Sequence, residues 1–297
     1  MLITPSNLTT LFSSFNAAFT KGASTAPSHY KKIALVQPSG TGEEQYGWMK
    51  QLPGMREWLG PRIVKNIVLA GYTITNKLFE STIGVPRTSI EDDSYGVISS
   101  VLSEMGKLAA THPDELVFAL LRDGFTRNCF DNQFFFDTDH PLEINEVVTT
   151  VSNVQTGAGD AWFLLDTSRA LKPLIFQERM PYELQQLTDS SESNVFKNDE
   201  YLYGVRGRGN AGYGLWQLAF GSKATLDATN YKAARAAMQN FKGEGGKPLG
   251  VVPDTLVVPP SLESAGLQLL NSEYGTGGVT NEWKGTAKLI VTPWVVP

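Results

Sequence analysis

Cysteine occurs once in the 297 residues, at Cys129, and histidine three times. A single thiol excludes an internal disulfide framework and any thiolate cluster around a metal. No apolar run approaches the roughly 20 residues that a membrane-spanning helix needs, so no membrane partner is expected. The N-terminus lacks a basic region followed by an apolar block, so no secretion signal is expected. Basic surplus is missing too. The formal charge is −5, which leaves no electrostatic footprint for tight nucleic-acid binding. Neither a Gly-x-Ser-x-Gly elbow nor a His-Glu-x-x-His pair occurs, so no catalytic constellation is expected. What the chain does have is 28 glycines, 16 prolines and 41% hydrophobic residues. That composition supports a sizeable core, in two domains or one elongated one, with many turns and extended segments.

The strongest periodic signal lies between 91 and 125. Ile98, Val101, Leu102, Met105, Leu108 and Ala109 recur at spacings of three and four, which makes one apolar stripe on an α-helix. Asp92, Asp93 and Ser94 stand before it as capping candidates. Pro113 predicts a joint, with Asp114 and Glu115 in the first turn of a restarted helix. Leu116, Val117, Leu120 and Leu121 carry the stripe on to Gly124, a plausible stop. So long a helix with one apolar face needs a broad partner, most simply a sheet.

Before this spine, Ser6 or Asn7 is expected to cap a short amphipathic helix bearing Leu8, Leu11, Phe12, Phe15 and Phe19, and small residues over 21–27 predict an extended arm. Strand-like stretches follow near 33–36 and 46–49, then a helical turn over 55–59. Residues 62–69 and 72–79 alternate about Ala70-Gly71 as a β-hairpin. Its apolar residues Ile67, Val68, Leu69, Tyr72, Ile74, Leu78 and Phe79 fall on both faces of the ribbon. A projecting hairpin of this kind needs cover from elsewhere, which predicts a contact with another molecule. After the spine, strands are expected at 133–136, 146–154, 161–165, 174–177, 201–205 and 215–220. A helix from Asp227 or Thr229, a strand at 255–258, a helix after Ser261 and a last strand at 287–291 complete the chain.

A few local patterns invite chemistry. Gly207-Arg208-Gly209-Asn210-Ala211-Gly212 has the spacing of a dinucleotide-binding loop, with Asp227 downstream, which opens a nucleotide-binding oxidoreductase as an alternative. That chemistry requires a helix opening at the glycines, whereas the aromatic-rich segment that follows them reads better as a strand. Asp137, Asp139 and His140 offer metal ligands, but an Asp-rich turn before proline explains them as well. Glu91, Asp92 and Asp93 are explained by capping. Cys129 with His112 or His140 could imitate a thiol catalytic pair, yet a lone cysteine in an apolar setting is more often a core residue. The expectation is no catalytic, cofactor or metal site, and Arg206 and Arg208 are expected to contact carboxylates of other subunits.

Three groups of residues carry a family resemblance. One is Pro53-Gly54-Met55-Arg56-Glu57-Trp58-Leu59-Gly60-Pro61-Arg62, with Phe79-Glu80 and Ile90-Glu91-Asp92-Asp93. A second is Lys172-Pro173-Leu174-Ile175-Phe176-Gln177 with Arg179, Tyr203-Gly204-Val205-Arg206 and Gly214-Leu215-Trp216-Gln217. The third is Leu256-Val257-Val258-Pro259-Pro260-Ser261-Leu262-Glu263, followed by Asn281-Glu282-Trp283-Lys284-Gly285-Thr286. Over nearly its whole length the chain resembles the major head subunit, or major capsid protein, of Mu-like tailed phages and prophages.

The resemblance implies an α+β fold of the Hong Kong 97 type. Residues 1–46 would be an N-terminal arm, 47–91 a short helix and an extended hairpin (the E-loop, within 62–90), 92–225 a peripheral domain with the spine helix over 92–125, and 226–297 an axial domain. The strands between 160 and 220 would supply the peripheral layer. It also implies self-assembly as hexamers and pentamers into an icosahedral head shell in the virion, built in the host bacterial cytoplasm around packaged double-stranded DNA that is touched only non-specifically. A portal protein, a separate scaffold protein and decoration or minor capsid proteins would be partners. Another virion protein, such as a tail-tube subunit, stays open as an alternative.

Overall fold

The computed structural model describes residues 2–47, 72–92, 96–144, 147–243, 246–275 and 278–296. Helix α1 spans Pro5–Thr25, with Thr4 as its N-cap and Pro5 in its first turn. Thr4 Oγ1 accepts from Asn7 N at 3.2 Å, so the cap lies ahead of the expected Ser6 or Asn7. The helix also runs through the small residues expected to form an extended arm. Gly22 is the reason: it is the point where α1 touches the spine.

The spine is α4, Gly96–Arg122, with Pro113 inside it, followed by a 3-10 turn over Asp123–Phe125. A Cβ on Gly22 would lie 1.8 Å from Ser103 O, and one on Gly106 would lie 2.0 Å from Phe19 O. The two helix backbones therefore meet where side chains are missing. Asp93 and Ser94, the expected caps, lie outside the described residues. Asp92 closes the short helix α3, Arg87–Glu91, by donating its N–H to Thr88 O.

Pro113 does not restart the helix, and Asp114 is not a first-turn residue. It is buried, and its carboxylate accepts from Ser28 Oγ at 3.0 Å, from His29 N at 2.9 and 3.0 Å and from Tyr30 N at 2.6 Å. It thus caps the separate short helix α2, Tyr30–Ile33, whose first N–H groups have no partner within the helix. Asp114→Ala strips these donors of their acceptor inside the protein. It is expected to cost about 2 kcal/mol, read from the denaturant midpoint, and Asp114→Asn should lose less.

Two sheets flank the spine. Strands β1 (Ala34–Pro38), β4 (Lys77–Pro86), β9 (Leu174–Leu187) and β10 (Glu200–Tyr213) form the first, in the order β1-β9-β10-β4. β1 runs parallel to β9, and β10 runs antiparallel to both neighbours. Along β10 the buried residues Tyr201, Tyr203 and Val205 alternate with Leu202, Gly204 and Arg206, the period expected of a sheet with one covered face. Phe15 of α1 packs edge-on against Tyr203, with ring centroids 5.1 Å apart. Leu102, Met105 and Ala109 of α4 belong to the same core.

The second sheet has the order β13-β12-β8-β11-β7, from β7 (Val154–Gln155), β8 (Trp162–Leu165), β11 (Ala219–Ser222), β12 (Thr255–Val258) and β13 (Lys288–Val291). β8, β11 and β12 are buried at every residue, as strands covered on both faces should be. Helices α6 (Ala228–Gln239) and α7 (Glu263–Leu270) pack on this sheet. Val117, Phe118, Leu120 and Leu121 join the same core, so α4 passes through both cores. β8 pairs with β12 and β11 pairs with β8, so a boundary at 226 does not separate the sheets. The residues expected as a strand at 133–136 form a loop, closed by an isolated bridge between Asn128 and Phe134. A two-stranded hairpin follows, β5 (His140–Ile144) with β6 (Val147–Val151).

Candidate assembly surfaces

Strands β2 (Glu43–Gln45) and β3 (Thr73–Thr75) pair antiparallel, with Glu43 opposite Thr75 and Gln45 opposite Thr73. Tyr46 N donates to Tyr72 O at 2.8 Å. Residues 46 and 72 therefore lie side by side on the body.

A buried polar cluster holds that root. Gln177 Nε2 donates to Ile74 O at 3.1 Å and to Asn76 Oδ1 at 2.8 Å, while its Oε1 accepts from Tyr46 OH at 2.9 Å. Asn76 Nδ2 donates to Ser39 Oγ and to Thr41 O, each at 2.9 Å. The turn before β2 closes on Glu44, whose carboxylate accepts from Gly40 N, Ser39 Oγ and Thr41 N. These donors, Gly40 N–H foremost, hold the Glu44 carboxyl below the usual range.

The hairpin expectation is corrected in its second half. Ile67, Val68 and Leu69 lie outside the described residues, as do the turn expected at 55–59 and the strand at 62–69. Tyr72, Ile74, Leu78 and Phe79 belong to the body, because the strand they lead into pairs with β10, from Lys77 opposite Gly209 to Pro86 opposite Glu200. Ile74 is buried at 3% exposure, in the core of its own subunit. Tyr72 OH accepts from Tyr213 N at 2.8 Å, and burial pushes its phenol up to about 12. Phe79 packs on His112 with ring centroids 4.4 Å apart. Leu78, at 57% exposure, is the one of the four that stands in the open.

β4 is an edge strand of its sheet, and between it and α4 runs an apolar groove of about 420 Å³. Phe79, Ile83, Val101, Met105, Leu108 and His112 line it. Val101 and Leu108, expected within the buried stripe, are 44% and 62% exposed at its rim. His112 Nδ1 lies 2.5 Å from Tyr182 OH, and burial lowers the histidine's pKa, favouring the neutral ring.

The Gly207–Gly212 stretch lies inside β10, so no helix opens at it and the geometry of a dinucleotide loop is missing. Asp227 is the N-cap of α6, accepting from Asn230 N at 2.8 Å. The glycines make room for neighbours. A Cβ on Gly207 would sit 2.5 Å from the Tyr182 ring, on Gly209 2.6 Å from Gln177 O, and on Gly212 2.1 Å from Ile74 Cδ1. Gly212→Val is therefore expected to expel Ile74 and loosen the loop root, at a cost of about 2–3 kcal/mol. Protease sensitivity near residues 46 and 72, with the main melting transition lowered, is the readout.

Arg206 is exposed on the uncovered face of the first sheet, between Glu80 of β4 and Glu183 of β9 in register, and Arg208 is half-buried opposite Leu78 and Met180. Neither makes an ion pair among the described residues. His140 does not meet Asp137 or Asp139 through their carboxylates. Asp137 accepts from Phe134 N and Thr138 N, while His140 pairs with Asp131, beside Cys129. Asp131 had no signal in the sequence.

Among the described residues no helix is long and apolar enough to cross a membrane. A family model described as Mu-like prophage major head subunit gpT matches residues 8–295. The major capsid protein of Escherichia phage Mu is 43% identical over 306 residues, covering 99% of this chain and 100% of that protein. A chain from the procapsid of bacteriophage JBD30 superposes with a TM-score of 0.87 at 46% identity, over 98% of this chain and 100% of that one. A chain from the JBD30 capsid decorated with minor capsid protein trimers superposes at 0.78 with 35% identity, over 100% of both chains. Matched across both sheets, the spine and the loop root, this chain belongs to the family of Mu-like major head subunits and is a major capsid protein of the Hong Kong 97-type fold.

Proposed function

We propose that the protein assembles as hexamers and pentamers into an icosahedral head shell around packaged double-stranded DNA, within the virion and after assembly in the host cytoplasm. One observation carries this reading beyond family membership. The body brings Tyr46 and Tyr72 side by side, and among the described residues an apolar groove between α4 and the edge strand β4 has no cover. Such a body is built to be completed by copies of itself, since repeated weak contacts fix a symmetric assembly.

In this reading residues 1–46 form the N-terminal region, 47–91 carry the E-loop, 92–225 the peripheral unit and 226–297 the axial unit, with β8 and β11 joined to the axial sheet. Ile67, Val68 and Leu69 touch a neighbouring subunit. Leu78, Arg206 and Arg208 lie on the uncovered face of the first sheet and are further contact candidates. Tyr72, Ile74 and Phe79 act indirectly, by fixing the root. A portal protein and a separate scaffold are partners. Minor capsid protein trimers on the JBD30 capsid support a decorating partner here too. Contact with DNA is weak and blind to sequence, given the net charge of −5, and the protein turns over no substrate.

Negative-stain microscopy of the expressed protein, alone and with scaffold, tests the proposal. Closed shells are expected. A chain that stays monomeric at high concentration in every salt condition, with scaffold supplied, would overturn it.

A further inference from the structure

The loop between α4 and β5 turns back at Asn132, a non-glycine residue in the left-handed region with φ of 69°. The turn brings Cys129 Sγ to 3.0 Å from Asp131 Oδ1, and His140 Nδ1 stands 2.8 Å from Asp131 Oδ2. One ligand atom from each residue lies within 4.8 Å of the other two. Cys129 and His140 are buried, and the Asp131 side chain keeps only 10% exposure. The His140 ring lies flat on Trp216, with centroids 4.1 Å apart and planes 10° from parallel, so it cannot swing away.

The far side of that ring is fixed as well. His140 Nε2 is 3.2 Å from Asn153 Oδ1. Asn153 has one possible orientation, because Nδ2 donates to Phe135 O at 2.8 Å and Oδ1 accepts from Asp137 N at 2.9 Å. Oδ1 is therefore an acceptor, Nε2 carries a hydrogen, and Nδ1 is the nitrogen turned toward the carboxylate and the thiol. A histidine that donates its remote N–H to a fixed oxygen and presents its other nitrogen to a carboxylate and a thiol has the outer support of a metal ligand.

We infer that Cys129, Asp131 and His140 bind a divalent zinc ion, with solvent in the fourth position. Tetrahedral zinc, with bonds of about 2.0 Å to nitrogen and oxygen and about 2.3 Å to sulfur, needs donors roughly 3.3–3.5 Å apart. The three donors already lie within 4.8 Å of one another, so a small rearrangement brings them to that spacing as the ion replaces the hydrogens that now bridge them. Gln133 N, 3.1 Å from Asp131 Oδ1, keeps the carboxylate aimed during that change. One thiolate and one carboxylate balance the two positive charges, which suits a buried site. Binding zinc displaces the proton of the Cys129 thiol, so binding weakens as pH falls. The ion would tie the loop after the spine to β5 and to the Trp216 core. This departs from the sequence expectation of no metal, since residues spaced by two and nine match no zinc signature.

Cobalt titration of the full-length protein tests the inference. Cys129 is the single cysteine, so a thiolate-to-cobalt charge-transfer band can come only from it. The expected result is a band that saturates at one cobalt per chain, disappears when an equal amount of zinc is added, is absent in Cys129→Ser, and needs at least roughly tenfold more cobalt in Asp131→Asn. Folding of each variant is checked by circular dichroism. A folded wild-type protein that gives no such band, or a Cys129→Ser variant that retains as much cobalt, overturns the site. The wild-type titration decides alone if the variants do not fold.

Discussion

Gly106→Ala should lower the unfolding free energy by about 3 kcal/mol, the upper end of what overpacking usually costs. On an exposed helix the same change would be favourable, because alanine loses less backbone entropy than glycine. Here the added methyl would meet Phe19 O at 2.0 Å, and that oxygen belongs to a hydrogen-bonded helix that cannot give way alone. α1 must lift as a unit, pulling Phe15 and Phe19 from the core they share with Tyr203 and Leu102. Gly22→Ala meets Ser103 O at 1.8 Å and should behave alike. Both changes push the same pair of helices apart, so the double variant should cost less than the sum of the two. Denaturant midpoints of the subunit measure all three. A fall below about 0.5 kcal/mol for either single change would mean that α1 does not rest on the spine in solution.

These glycines also show where the sequence was legible and where it was not. The spine could be read because a stripe at spacings of three and four is a local signal, and so could α6, β12 and the last strand. The tail of α1 could not, since small residues look alike whether they mark a loose arm or a tight helix crossing. Pro113 misled for a related reason: a proline and two acids resemble a helix start, but Asp114 serves α2, more than 80 positions away. The hairpin was half legible. Alternation over 72–79 correctly gave strand, but alternation names no partner, and β10 lies far along the chain. The glycines of β10 matched a nucleotide motif in spacing alone, while their neighbours, Tyr182, Gln177 and Ile74, come from elsewhere in the fold. Of the proposed metal ligands, Asp131 acquires its meaning only when the loop folds back at Asn132.

Replacing residues 48–71 by a short Gly-Ser turn should leave a subunit that folds at least as well as before and cannot close a shell. Folding survives because the stem rests on the body: β2 pairs with β3, Tyr46 N–H bonds Tyr72 O, and Gln177 joins Tyr46, Ile74 and Asn76 beneath them. A turn of a few residues can connect two antiparallel neighbours. Shortening the connection roughly sixfold lowers its closure cost by about 1.5 kcal/mol, so the melting temperature should hold or rise. Assembly should fail because Ile67, Val68 and Leu69 leave with the segment, and a neighbour's apolar surface then stays uncovered. The cut must stop at 71. A deletion that reaches Phe79 would also remove Ile74 from the core and the start of β4 from β10, and it would unfold the subunit for a reason unrelated to assembly. Thermal melts and negative-stain images of the same preparation separate the two effects. Shells of normal size from this variant would show that residues 48–71 are not an inter-subunit element, and a molten body would show that they belong to the fold.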